Sequence, residues 1–189
     1  MVVVKEVLLG VLLGFIATVA IDGIRLAGEL IGSQVGFGMI SVADPESQQE
    51  ESIMEIFYFM VFSLSFLTVN GHHMIISAVA QSISVVPLGI VNYSKGFFTE
   101  IFSKVPEIFI VSLKIALPVT IPVIMVTLVL GIISKAVPRL EVFLISFPIN
   151  VMVGFLVMMI YLPDLFRFLN YIIHSDIIDE ITRIMYIIR

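Results

Sequence analysis

The sequence predicts an all-α, membrane-associated protein: helical hairpins of long, broken hydrophobic helices, with a C-terminal amphipathic helix. Three observations predict it. Hydrophobic residues make up 59% of the 189-residue chain and charged residues only 13%, whereas a soluble domain is about a quarter charged. The apolar residues fall in runs of membrane-helix length. Glycine and proline, which stop or bend helices, interrupt those runs. This surplus of apolar side chains does not fit one soluble core, so the surroundings are lipid, other apolar subunits, or both.

The elements follow in order. A first helix is expected from about Lys5 to Met39. Its start, with Val7 to Ile16 apolar and Ala17-Thr-Val-Ala20 small, imitates a signal peptide, but Glu6 cancels Lys5 and the helical pattern runs past the cleavage point. Asp44 to Glu55 is a polar linker with five acids and no base. Ile53 to Val69 and Met74 to Ile90 are two apolar segments separated by the turn pair Asn70-Gly71, so an antiparallel hairpin is expected. Asn92 to Pro106 is a more polar connector carrying Lys95 and Lys104. Glu107 to Ser134 forms the fourth segment, with Lys114, Pro118 and Pro122 inside it. Val142 to Leu162 forms the fifth, with Pro148, and Asp164 to Arg189 is an amphipathic tail.

No Lys or Arg occurs between Arg25 and Lys95, so the acidic linker reads as non-cytoplasmic. Lys135 and Arg139 mark the turn between the fourth and fifth segments as cytoplasmic. Strict alternation then puts Lys95 and Lys104 outside, against the same rule. Either one segment does not span, or the helices do not form a simple lipid-crossing bundle.

Residues Gly28 to Pro45 carry the most information. Non-helical backbone at membrane depth is tolerated only inside protein or beside a water-filled cavity, so this segment lines or blocks something. On a helix, Asp22, Arg25 and Glu29 share one face and can pair with one another. At about 100° per residue, Gly10, Gly14, Gly28, Gly32 and Gly36 fall in the same sector. Gly10-x-x-x-Gly14 and Gly28-x-x-x-Gly32-x-x-x-Gly36 are close-packing patterns. One charge at the bilayer centre costs about 2.5–3.5 kcal/mol on insertion scales, so the stripe does not face lipid. It is either a structural ion triplet between helices or a polar wall of a transport path.

Pro118 and Pro122 are expected to break the fourth helix, as at a transport site or as a kink around a partner. Lys114, one turn earlier, pairs with an acid, lines a polar path or snorkels. His72 and His73 are adjacent and so point about 100° apart on a helix, a poor metal pair. They read as a turn and helix start. The absence of Cys excludes disulfides and thiolate chemistry. No Walker-type loop, nucleophile elbow or zinc-protease pattern is present, so no enzyme activity, cofactor or metal is expected. Net charge is -5 with no basic run, which argues against nucleic acid as a partner.

Seven stretches then match a family in order: Gly28-Glu-Leu-Ile-Gly-x-Gln-Val-Gly-Phe37; Asp44-Pro45-x-Ser47; Phe66-Leu-x-x-Asn70-Gly71-His72-His73; Pro87-Leu-Gly89; Ala116-Leu-Pro118; Leu130-Gly131-x-x-x-Lys135-Ala-x-Pro138-x-Leu140-x-Val-Phe143; and Phe147-Pro148. The chain resembles the FliR/SctT family, the R component of the bacterial flagellar (type III) protein export gate. The resemblance implies a P-like part over 1–91, a Q-like hairpin over 107–162 and a tail over 163–189. It implies that the protein packs with FliP-like and FliQ-like subunits, works beside FlhA-like and FlhB-like components, and passes unfolded protein substrates. The place implied is the bacterial inner membrane, in contact with lipid, at the flagellar basal body. The residues Gln34, Val35, Gly36, Phe37, Gly38, Met39, Ile40, Ser41 and Val42, within a 34–45 loop, would form part of the pore plug. Lys135, Pro138, Arg139 and Glu141 would form the cytoplasmic hairpin tip. Family members place aromatics late in the plug loop, where this chain has Met39 and Val42, and begin with further hydrophobic helices ahead of the position of Lys5. An N-terminal part is therefore expected to be missing. The residues alone leave two other readings open, a small ion or solute transporter or channel subunit and an assembly scaffold with no gating role.

Overall fold

The structure is a computed structural model, and it describes residues 2–37, 52–85, 95–136 and 142–174. The described residues form five α-helices and no strand. These are α1 (Val2–Val35), α2 (Ile53–Thr68), α3 (Gly71–Val85), α4 (Lys95–Ala136) and α5 (Val142–Tyr171). The protein is all-α, as the sequence predicts.

The boundaries differ from expectation for local reasons. Helix α1 stops at Val35, short of Met39, because Gly36 takes a left-handed φ of 105°. The Phe37 N–H then donates to the Gly32 carbonyl at 2.9 Å, the six-to-one bond of a Schellman cap. Helix α3 starts at Gly71, and α2 with α3 is no antiparallel hairpin: the chain bends by 66° between them. Asn70, with φ 56°, makes the kink; Asn tolerates this conformation better than most residues. Its carbonyl at once accepts the N–H groups of His73 at 2.9 Å and Met74 at 3.2 Å, so helix restarts with no room for a reversal. The Phe66 ring occupies the place a Cβ would take on Gly71.

Helix α4 absorbs most of the expected connector and stays helical through Pro118 and Pro122. A proline removes one donor, and the bonds of the neighbouring turns carry the helix past it. Likewise α5 runs through Pro148 and Pro163 into what reads as tail, closing with a π turn at 172–174. Residues 44–51, 86–94 and 175–189 of the expected linker, third segment, connector and tail lie outside the described residues.

Two helices are long and apolar enough to cross a membrane: Val105–Ala136, 32 residues, and Leu144–His174, 31 residues. At 1.5 Å per residue each reaches about 47 Å, beyond a hydrocarbon core of about 30 Å. The bent α2–α3 pair counts as a third if taken as one span. Both long helices leave large apolar side chains exposed, among them Leu128 and Ile132 on α4 and Met159 and Ile160 on α5. That surface suits lipid or protein neighbours rather than water.

Two compact units divide the chain. The first takes Met1–Gly23, Val61–Ile110 and Phe166–Arg189. Its core includes Val19, Phe62, Leu169 and Ile173, and the buried Ser65 hydroxyl donates to the Val61 carbonyl at 2.9 Å. The second takes Ile24–Met60 and Val111–Leu165. Its core includes Ile24, Ala27, Ile31, Val35, Tyr58, Ile115, Val119 and Val123. This second unit holds the site described next.

Candidate functional site

The site is built on the last three turns of α1. Gly28 and Gly32 lie one turn apart and meet the start of α2. A Cβ on Gly28 would lie 2.5 Å from Glu55 Cα and 2.8 Å from the Met54 carbonyl oxygen. A Cβ on Gly32 would collide with Ser52 Oγ and lie 3.3 Å from Met54 Cβ. Backbone therefore meets backbone, a closeness only glycine allows. Between apolar helices such contact supplies packing that lipid cannot.

One turn before Gly28, Arg25 fixes the same crossing. Its guanidinium reaches Glu55 at 3.6 Å and stands 4.6 Å above the Phe59 ring. One turn separates Glu55 from Phe59, so a single helix face supplies both the carboxylate and the ring. The pair is partly open, with side chains 37% and 16% exposed. It contributes about 0.2–1 kcal/mol as an ion pair and about 0.5–2 kcal/mol as a cation over a ring. Sequence spacing offered Asp22 and Glu29 as partners of Arg25; both are exposed, and the carboxylate from α2 was missed. Glu55 was hidden because it reads as the last acid of a polar linker, although it lies in the first turn of α2.

The other glycines of the stripe behave differently. Gly10 and Gly14 are exposed, and among the described residues nothing lies within 4 Å of a Cβ built on either. Of the expected plug residues, Gln34 is exposed, Val35 is fully buried, and Gly36 and Phe37 are half-buried. Gly38, Met39, Ile40, Ser41 and Val42 lie outside the described residues.

The end of α1 is seated on α5. Val35 lies over Gly154, where a Cβ would be 2.7 Å from Val35 Cγ2. The Phe147 ring covers Gly36, 2.9 Å from the position of a Cβ. Phe37 meets Phe155 edge to face, with ring centroids 6.3 Å apart and planes at 86°. Spacings of seven and eight put Phe147, Gly154 and Phe155 on one face of α5, two aromatic pillars around a glycine floor. Sequence reasoning missed this socket, since an isolated glycine in an apolar helix has no spacing partner to reveal it.

Elsewhere on α4 and α5, the buried Asn150 donates from Nδ2 to Thr127 Oγ1 at 3.1 Å, and that hydroxyl donates to the Val123 carbonyl at 3.0 Å. The Tyr161 hydroxyl reaches the Lys114 carbonyl at 3.5 Å. Of the expected hairpin tip, Lys135 is exposed near the end of α4, and Pro138, Arg139 and Glu141 lie outside the described residues. His72 and His73 sit at the start of α3 with ring centroids 4.3 Å apart. Among the described residues no group of three or more His, Cys, Asp or Glu side chains is placed to hold a metal.

Residues 1–175 match the model of a family described as bacterial export proteins, family 1. The chain is 30% identical over 184 residues to the flagellar biosynthetic protein FliR of Escherichia coli (strain K12), covering 94% of this chain and 70% of that one. It is 28% identical over 165 residues to the protein of the same name in Bacillus subtilis (strain 168), covering 86% and 64%. Against that of Pectobacterium carotovorum subsp. carotovorum it is 30% identical over 182 residues, covering 96% and 69%. The chain thus spans between 64% and 70% of the length of these relatives.

Proposed function

The chain belongs to the bacterial export proteins, family 1, and we propose that it is a structural and gating component of the flagellar protein export channel. The observation that carries this reading is the match to FliR proteins over 86% to 96% of the chain. The two long apolar helices suit a membrane component of that apparatus, and the proposed location is the bacterial inner membrane at the flagellar basal body.

Its work is mechanical rather than catalytic. The exposed apolar faces of α4 and α5 pack against FliP-like and FliQ-like subunits and lipid, with FlhA-like and FlhB-like components nearby. The 34–42 segment helps to plug the pore through which unfolded proteins pass. What supports the plug role is the seating of its first residues: Val35, Gly36 and Phe37 are held on α5 by Gly154, Phe147 and Phe155. A segment that closes a pore needs a fixed base, and this is one.

The test is deletion of Gly38 to Ile40 in the assembled gate. Closed gates should then leak ions or small molecules while the complex still forms. Unchanged permeability in a gate of normal yield would overturn the plug role. Co-purification tests the assembly: a stable complex with FliP-like and FliQ-like proteins supports it, whereas a lone oligomer stabilised by a small ligand would favour a transporter.

A further inference from the structure

We propose that a phospholipid bilayer wraps only the distal part of the α4–α5 pair, from the level of Lys114, Tyr161 and Asp164 to the level of Lys135, and that the rest of both helices stands outside the hydrocarbon. This rests on reading the chain as a membrane component of the export apparatus. Both spans are longer than one bilayer needs, and charge shows where each is cut. Residues 115–134 of α4 and 142–163 of α5 contain no Asp, Glu, Lys or Arg. Beyond them come Lys114 and Glu107 on α4, and Asp164 and Arg167 on α5. Lys114 and Lys135 are twenty-one positions apart, about 32 Å of helix against about 30 Å of hydrocarbon. The two helices run antiparallel, since Tyr161 meets Lys114 and Asn150 meets Thr127. The Tyr161 hydroxyl reaches the Lys114 carbonyl at 3.5 Å, so the ring and the lysine share one level. Asp164 follows one turn beyond Tyr161. A tyrosine among charges suits the lipid–water interface, where a lysine extends its amine into the headgroups.

The surface between these levels fits acyl chains rather than one docked helix. On the distal part of α4, Ile124 and Met125, Leu128 and Val129, and Ile132 and Ile133 are exposed as adjacent pairs. Adjacent residues of a helix point about 100° apart, so apolar side chains are open on more than one side. A helix that is apolar all round belongs in a core or a membrane. The polar groups inside this belt do not depend on water. The Thr127 and Ser134 hydroxyls donate to carbonyls of their own helix, Val123 at 3.0 Å and Gly131 at 2.7 Å. Asn150, buried within the charge-free run of α5, donates to Thr127. Hydrocarbon demands such internal satisfaction. Phe109 and Ile110 are exposed as well, but they lie on the charged side of Lys114 and are left for protein neighbours.

The chain contains no cysteine, so one introduced cysteine gives one spin label. I110C, L117C, I124C, L128C and I132C on α4, and M152C and M159C on α5, are made singly in the full chain. Each is assembled with cysteine-free partner subunits in a phospholipid bilayer. Collision with oxygen, which concentrates in hydrocarbon, is compared with collision with a polar nickel chelate, which stays in water. The oxygen excess should peak at I124C and M152C, near the middles of the two charge-free runs. It should decline toward L117C, I132C and M159C and vanish at I110C. Labels at I124C, L128C and M152C that neither reagent reaches would mean that subunits cover the belt, and would overturn the proposal. An oxygen excess at I110C as large as at I124C would also overturn it, because the bilayer would then extend past Lys114. Labels open to the chelate at every position would place the pair in water, and the membrane reading would fail with the proposal. Lys114→Leu combined with Asp164→Leu tests the boundary itself. It lengthens both charge-free runs, to Glu107 and to Arg167, so the α4 peak should slide from Ile124 toward Ile121. A peak that stays at Ile124 in a gate of normal yield would overturn the boundary at Lys114 and Asp164.

Discussion

Val35 lies on the bare backbone of Gly154: a methyl group added there would stand 2.7 Å from Val35 Cγ2. Both residues are buried. Gly154→Ala should therefore overpack the contact and cost about 1–3 kcal/mol of stability. Val35→Ala in the same chain should restore part of the loss by making room. Thermal unfolding in detergent measures both, and a Gly154→Ala chain with an unchanged midpoint would mean the two helices stand further apart.

The glycines of α1 should separate into two classes. Gly28→Ala places a methyl 2.5 Å from Glu55 Cα. No rotamer change relieves a clash with backbone, so α1 and α2 must part and the folded chain must lose stability. Gly10→Ala and Gly14→Ala meet nothing within 4 Å among the described residues, and alanine gains about 0.8–1 kcal/mol of helix propensity over glycine. The isolated chain should tolerate either one or become more stable. A Gly10→Ala chain that is stable alone but poorly incorporated into the gate would place Gly10 against another subunit.

Arg25 is held by both charge and ring, so removing each part should have its own effect. Arg25→Lys keeps the charge but loses the flat cation that stacks on Phe59. Glu55→Gln keeps the shape and loses the carboxylate. Each should cost about 1 kcal/mol or less, because the pair is partly exposed, and the Glu55→Gln cost should shrink as salt rises. Arg25→Leu should lower the yield of assembled gate more than it raises leak through closed gates. Normal complex yield for Arg25→Leu would remove the structural role of this crossing.

Sequence patterns revealed the helix class and the five long helices found among the described residues, and they picked out Gly28 and Gly32, because repeated four-residue spacing is a visible sign of close packing. The same spacing at Gly10 and Gly14 meets no contact among the described residues, since spacing shows what a helix can do and not what stands opposite. Partners from distant segments left no local trace. Glu55 reads as linker, Gly154 as a stray small residue, and Phe155 as one more apolar side chain. Asn70-Gly71 reads as a reversal, but a left-handed Asn whose carbonyl caps the next helix gives only a 66° bend. Pro118 and Pro122 read as breaks, yet a single missing donor at each leaves the rest of α4 bonded.

The Asn150–Thr127 bond gives a test in which the sign carries the argument. Asn150 is 8% exposed and donates to Thr127 Oγ1 at 3.1 Å. The Thr127 hydroxyl has a second partner, the Val123 carbonyl at 3.0 Å. Asn150→Leu therefore leaves Thr127 still bonded to its own helix and replaces a buried amide by an apolar group. Thr127→Val strands the Asn150 amide in an apolar interior, and a stranded buried donor costs about 1–3 kcal/mol. Thr127→Val should thus destabilise more than Asn150→Leu, although Thr127 is the more exposed of the two. Adding Asn150→Leu to Thr127→Val should recover most of the loss, because the stranded amide is gone. A double-mutant cycle on unfolding in detergent reads this directly. Equal single costs that simply add would show that the two side chains do not share a bond in the folded chain.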